Sequence, residues 1–509
     1  MSPKQIDGKE VAKHNSMETG VWIVVHVYDM TEFLEEHPGG PDIILQYGGK
    51  DATEEYDPIH PPDAIKDNLD PSKHIGTLIP GSLAPPAPAA APEPVQSTAV
   101  VTTGQVAAPQ PYVKPDLSEI LSLHDFEAVA RHTMNRRGWN YYSSGADDEI
   151  TMRENNTAYQ RIWFRPRILR DVTKVDFSTE ILGHKSSMPV YITATALGKL
   201  GHPEGEVVLT RAAHEHGIIQ MIPTLASCGF DEMVDAAAPG QVQFLQLYVN
   251  ADKSRTKKII EHAGKRGVKA LFITVDAPQL GRREKDMRTK FEGNASSHQT
   301  KGGDKVQRDA GAARAISSFI DPSLSWKDIP FLKECAGDMK IILKGVQSWE
   351  DAVLAAERGC DGVVLSNHGG RQLDTAPAGI TILPEVVAAL NQRGLLVPPG
   401  KPRFEIMVDG GVRRATDVLK AVALGATAVG VGRPFLYSMS TYGFEGVCHM
   451  LQILKDEFEM NMRLIGAPTL TDVVPSMVDI SALKVPTVGN TMFGVNYETM
   501  YPAGVKAKL

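Results

Sequence analysis

The stretch Gly362–Asp374, GVVLSNHGGRQLD, starts as an apolar run suited to a buried strand. It ends in a glycine-flanked turn that carries His368 and, three residues on, Arg371. A titratable base and a fixed cation leave a core on one turn for a reason, and the neighbouring sequence supplies it. Apolar runs of the same kind recur as VYITAT, IIQMIPT, VQFLQLYV, ALFITVD, IILKGV, GVVLSNH, FEIMVDGG and ATAVGVGRP. Amphipathic stretches such as EGEVVLTRAAHEHG, SRTKKIIEHAGKRG, SWEDAVLAAERG and RRATDVLKAVALG separate them. Eight strand–helix units in series predict an α/β fold, a (β/α)8 TIM barrel; an open doubly wound sheet accounts for only part of the pattern.

In such a barrel the strand C-termini share one face, where the site is expected. Those ends carry Thr195, Gln246 with Tyr248, Thr274 with Asp276, Lys344, His368, Asp409 with Gly411, and Gly432 with Arg433. One polar residue there is an ordinary cap. This many on one rim is costly to desolvate without a ligand. The glycine turns DGGVRR and GVGRP, with Arg413 and Arg433, suit a phosphate. Lys344 suits an electron-rich ring, and Arg371 and Arg283 offer planar forks for a carboxylate. His368 fits a general base near neutral pH, with Asp276 stabilising its protonated form.

Composition sets the outer limits. A chain of 509 residues with 42% apolar and 22% charged residues is globular and long enough for two domains. Its formal net charge of −8 argues against a nucleic-acid binder. No apolar run approaches the roughly 20 residues of a membrane span. The four cysteines are far apart in sequence, which indicates neither a disulfide framework nor a zinc site.

Between Pro80 and Pro115 the chain has nine prolines and little charge, the composition of a semi-extended tether. The expected organisation is therefore a small domain over 1–80, a linker over 81–115 and the barrel over 116–509. In the small domain, His37 (FLEEHPGGPDII) and His60 (EEYDPIHPPDAI) each lie in a proline-marked turn. Two neutral imidazoles facing each other suit the axial positions of a six-coordinate iron.

The segment VWIVVHVYDMTEFLEEHPGGPDIILQYGGKDATEEYDPIHPP resembles the cytochrome b5-type heme domain, a small α+β fold, and His37 and His60 fall on its two heme ligands. The family has a two-residue hairpin turn after its first long strand. Here only His26 separates WIVV from VYD, so a shortened hairpin is expected.

The barrel segments YYSSGADDEITMRENNTAYQRIWFRPRIL, TVDAPQLGRREKDMR, LKGV, SNHGGRQLD and DGGVRRATDVLKAVALGA resemble the FMN-dependent α-hydroxy-acid dehydrogenases and oxidases. The likeness runs from about Leu117 to Leu464. A heme domain joined to this barrel is similar to the flavocytochrome type of L-lactate dehydrogenase, which delivers electrons to cytochrome c.

The resemblance implies FMN and heme b as cofactors. His368 takes a substrate proton, Asp276 supports the imidazolium, and Arg371 with Tyr141 holds the carboxylate. Tyr248 and Arg283 contact the reacting oxygen or the product, and Lys344 stabilises the anionic reduced flavin. Flavin contacts map to Ala194, Thr195, Gln246, Thr274, Asp409, Gly411, Arg413, Gly432 and Arg433. Pro223 stands where the family commonly has a flavin-contacting serine. Ala196 and Leu225 flank the substrate side chain and favour lactate over an aromatic hydroxy acid.

The polar segment FEGNASSHQTKGGDKVQRDAGAARA is expected to form a lid, and the resemblance implies a homotetramer. A flavin reoxidised by O2 with release of peroxide is the alternative electron path. The compartment stays open. The family's flavocytochromes point to the mitochondrial intermembrane space, whereas the absence of a presequence and the terminal AKL point to peroxisome or cytoplasm.

Overall fold

The computed structural model describes residues 4–16, 19–24, 26–34, 44–45, 48–52, 65, 69–79, 82, 112–289, 318–397 and 402–485. The chain divides into two compact units, Met1–Ala108 and Pro109–Leu509. The proposed lid, the AKL terminus and both candidate heme ligands, His37 and His60, lie outside the described residues. So does the linker, apart from Ser82 and residues 112–115.

In the first unit a five-stranded mixed sheet has the order Gln5–Ile6, His74–Leu78, Val27–Asp29, Gly20–Val24, Asn15–Ser16. Successive residues of a strand face opposite ways. Accordingly Val27 packs with Ile6 and Val11, while Tyr28 packs against Met30, Leu34 and Ile44. The hairpin departs from expectation. Val24 pairs with Val27, which leaves two residues between the strands. The strand ends one residue earlier than the apolar run suggests, so the turn is not shortened.

The second unit holds a closed barrel of eight parallel strands: β1 (Val190–Ile192), β2 (Ile219–Ile222), β3 (Gln243–Leu247), β4 (Ala270–Thr274), β5 (Lys340–Val346), β6 (Gly362–Leu365), β7 (Glu405–Asp409) and β8 (Ala428–Val431). Closure is completed by Gly430 of β8 opposite Tyr191 of β1. The four amphipathic stretches form helices Glu206–His216, Lys253–Lys265, Trp349–Glu357 and Ala415–Ala423. Their apolar faces share one large core with the outward faces of the strands.

The barrel interior is solid. Tyr191, Ile219, Met221, Phe244, Phe272, Ile342, Val364 and Met407 pack together inside it. The hairpin formed by Thr179–Ile181 and His184–Ser186 contributes Ile181 and Leu182 to the same cluster, and both are buried. Alternation then fixes the next inward positions. Two residues beyond Phe244 is Gln246, beyond Phe272 is Thr274, beyond Ile342 is Lys344, beyond Val364 is Ser366, and beyond Met407 is Asp409. The packed layer thus forms the floor, and the polar rim stands one pleat above it.

Candidate active site

Above that floor lies a cavity of about 1070 Å3 of unfilled space, its open mouth included. Every barrel residue picked out from sequence lines it except Asp276: Tyr141, Ala194, Thr195, Gln246, Tyr248, Thr274, Arg283, Lys344, His368, Arg371, Asp409, Gly411, Arg413, Gly432 and Arg433. Asp276 stands behind His368, with its side chain 1% exposed. Ala196, Leu225 and Pro223 also line the wall.

His368 is held at both ring nitrogens. Its Nδ1 lies 3.1 Å from Asp276 Oδ1 and its Nε2 lies 3.2 Å from the Tyr248 hydroxyl. The backbone takes a left-handed conformation at His368 (φ 61°), uncommon without glycine. Three contacts enforce it. The His368 N–H donates to Ser366 Oγ at 3.0 Å, and the Gly370 N–H donates to Asn367 Oδ1 at 2.9 Å. Asn367 in turn exchanges amide hydrogen bonds with Asn155, at 2.8 and 2.7 Å.

Gly345 makes room for Asp276. A Cβ at that position would come 2.5 Å from the carboxylate carbon, and φ there is +108°. Burial pushes the His368 pKa below the usual imidazole range, and the Asp276 carboxylate opposes that shift. For Asp276 burial raises the pKa, but His368 and Lys344 together bring it below the ordinary carboxylate value.

Lys344 is buried with its Nζ 3.1 Å from Asp409 Oδ2 and 3.3 Å from Ser366 Oγ. Burial disfavours its charge, but Asp409 and Asp276 outweigh that and raise its pKa. It is a permanent cation in the cavity wall.

The arginines divide their work. Arg371 places its guanidinium 4.9 Å from the Tyr141 ring centre and donates to the carbonyls of Tyr141 and Ser144 at 2.7 and 3.0 Å. Arg283 donates to the Arg371 carbonyl and to Gln372 Oε1. Burial and the neighbouring Arg371 lower the Arg283 pKa to about 9. Two guanidinium groups held this close favour an anion between them.

Arg433 and Arg413 are more engaged with the protein than the glycine-turn motifs suggest. Arg433 donates to the carbonyls of Tyr142, Gly369 and Ser144 at 2.8–2.9 Å. Arg413 meets Glu127 Oε2 through two nitrogens, at 3.0 and 2.9 Å. Both side chains face the cavity while fastening the segment around Tyr141–Ser144 and the one around Glu127.

Several residues that hold the site lie within the quoted segments but carry no signal of their supporting role. Asn155, Asn367 and Ser366 fix the base. Gln372 bridges two loops, donating to the carbonyls of Asp276 and Gln279 at 2.8 and 3.0 Å. Ser366, Asn367 and Gln372 do sit inside the stretch that betrays the base, on either side of His368.

The cavity fits FMN. The buried oxygens Thr193 Oγ1, Thr195 Oγ1 and Asp409 Oδ1 have no hydrogen-bond partner among the described residues, and all three residues line the wall. Such groups are costly unless a ligand satisfies them. Gly411, which lines the cavity, is pinned there against the helix Ile150–Gln160: φ is +82°, and a Cβ would meet the Asn155 carbonyl oxygen at 2.0 Å. Gly432 caps the helix that starts at Arg433, and such an N-terminus attracts phosphate.

Comparison with known proteins agrees. Residues 130–480 match the model of the FMN-dependent dehydrogenase family, and residues 7–79 match the cytochrome b5-like heme/steroid binding domain. The chain is 51% identical to an L-lactate dehydrogenase (cytochrome) of Wickerhamomyces anomalus, covering 96% of this chain and 83% of that protein. It is 47% identical to an L-lactate dehydrogenase (cytochrome) of Saccharomyces cerevisiae, covering 96% and 82%. Among solved structures, the recombinant flavin-binding domain of baker's yeast flavocytochrome b2 aligns with a TM-score of 0.67 at 48% identity, covering 77% of this chain and 95% of that one. The chain belongs to the FMN-dependent dehydrogenase family and is an oxidoreductase that pairs an FMN barrel with a cytochrome b5-like heme domain.

Proposed function

We propose that the protein oxidises a short (S)-2-hydroxy acid, with L-lactate as the leading substrate, and passes the electrons through heme b to a cytochrome c-like acceptor. The observation that carries this reading is the His368–Asp276 pair facing a cavity that also holds Arg283 and Arg371. A base and two planar cations then meet one small anion that carries a hydroxyl. Resemblance to the two cytochrome-linked lactate dehydrogenases, over nearly the whole chain, supports the substrate and the heme relay.

The residues divide the task by chemistry. Arg371 and Tyr141 bind the carboxylate, and Arg283 with Tyr248 holds the oxygen that becomes a carbonyl. His368 takes the proton at Nε2, because Nδ1 already faces Asp276. Asp276 then stabilises the imidazolium without needing to take a proton itself. Bound FMN supplies a two-electron acceptor able to give electrons up singly. Thr195, Gln246, Thr274 and Asp409 would hold its ring, Lys344 would place a positive charge beside it, and Gly411, Arg413, Gly432 and Arg433 would hold its phosphate. Ala196 and Leu225 leave room for a methyl group. In the small domain, His37 and His60 would ligate the heme iron, and the expected assembly is a homotetramer.

An anaerobic spectral titration tests the reading. Adding L-lactate to the holoenzyme should bleach the flavin absorbance and then reduce the heme. A bleached flavin beside a heme that stays oxidised would replace the relay with direct reoxidation by O2. If neither chromophore responds, the substrate class is wrong.

A further inference from the structure

Two loops border the part of the cavity assigned to the substrate side chain. The loop after β1 carries Ala196 and the loop after β2 carries Leu225. They are sewn to each other. The Leu197 N–H donates to the Leu225 carbonyl at 3.2 Å, and the Lys199 N–H donates to Ser227 Oγ at 3.2 Å.

Between the loops sits the carboxylate of Glu206, a residue only 1% exposed. Its Oε1 accepts from the N–H groups of Gly198 at 2.7 Å and Ser227 at 2.9 Å, and its Oε2 accepts from that of Cys228 at 3.1 Å. Glu206 opens the helix Glu206–His216, where the helix dipole favours negative charge. From the other side the Tyr142 hydroxyl donates to the carbonyls of Leu197 and Gly198, at 2.8 and 3.2 Å. Leu197 itself is left-handed (φ 59°, ψ 47°), a conformation that a branched residue keeps only when its surroundings enforce it.

We propose that Glu206 is a positioning residue that sets the size of the substrate side-chain pocket by clamping the Ala196 and Leu225 loops together. The proposal rests on the 2-hydroxy-acid reading above. Glu206 does not line the cavity and takes no part in the proton transfer. Its charge is directed at three backbone amides of two different loops. Bonds from an ionised acceptor are shorter and stiffer than neutral ones, so the clamp fixes the loop separation closely.

Glu206→Gln tests this. The substitution keeps the volume, removes the charge and turns one acceptor into a donor that faces an amide N–H. The loops should part and admit larger side chains. The ratio of kcat/KM for L-lactate to that for L-2-hydroxy-4-methylpentanoate should fall about tenfold. Hydrogen exchange at the amides of Gly198, Ser227 and Cys228 should quicken, while the pH at which activity rises stays where His368 sets it. Tyr142→Phe, which releases the Leu197 and Gly198 carbonyls, should move the ratio the same way and carries the test if Glu206→Gln does not fold. Faster exchange with an unchanged ratio would reduce Glu206 to a structural cap and overturn the proposal alone. A wild-type enzyme that turns over neither acid would overturn the functional reading and this inference with it.

Discussion

Nδ1 of His368 lies 3.1 Å from Oδ1 of Asp276, which leaves Nε2 as the ring atom that faces the cavity and Tyr248. The carboxylate raises the imidazole pKa, while burial lowers it by more. The neutral base therefore persists to lower pH than a free imidazole would allow. The rise of kcat/KM with pH should accordingly fall below the ordinary histidine range near 6.5.

Asp276→Asn should shift that rise to still lower pH, because the stabilising charge is gone. It should also reduce the plateau about 100-fold, since the imidazolium loses its partner. A pH–rate profile of the variant that moved upward instead would contradict the pairing.

Lys344 and Asp409 form a buried ion pair at 3.1 Å, with side chains 5% and 6% exposed. Removing one partner of such a pair strands the other charge and costs about 3–5 kcal/mol. Asp409→Asn should lower the thermal stability of the barrel by an amount in that range. Differential scanning calorimetry on flavin-free protein checks this without reliance on activity.

Gly411→Ala adds a methyl group 2.0 Å from the Asn155 carbonyl at a left-handed position. The turn must shift off Asn155 and disturb the expected phosphate site, and purified protein should contain heme with little flavin. The ratio of flavin to Soret absorbance reads this directly, and a normal ratio would remove Gly411 from the cofactor cradle.

Pro223 lines the cavity but has no N–H and no hydroxyl to offer. Pro223→Ser supplies both, and if one of them reaches the flavin it should tighten FMN retention by about 1 kcal/mol, the worth of one added hydrogen bond. Flavin dissociation measured by fluorescence recovery should slow accordingly.

The barrel was legible because its strands are uniform in one respect: an apolar layer, then a polar residue two positions further on. Phe272–Thr274 and Ile342–Lys344 show the step, and period-two geometry converts it into a common rim. The base was legible because it ends an apolar run and two glycines follow it. The supports were not. Asn155 lies 212 residues from Asn367, and no local pattern announces an amide pair at that separation. Glu206 reads as an ordinary first-turn helix acid until the loops folded around it are seen. The heme-domain hairpin misled because an apolar run continues one residue past the last paired strand position. Arg433 shows another limit: a guanidinium beside glycines signals phosphate, but the motif does not reveal that the same group also fastens three carbonyls.

Ile181 and Leu182, both buried, stop the barrel from beneath. Among the described residues the chamber therefore has no exit through its floor. Whatever oxo acid forms inside must leave at the rim end of the cylinder, where its parent also enters, so the outgoing ketone and the incoming alcohol meet at one end. Rivalry between the two, seen as competitive inhibition by the released oxo acid, is built into the plugged end of the cylinder.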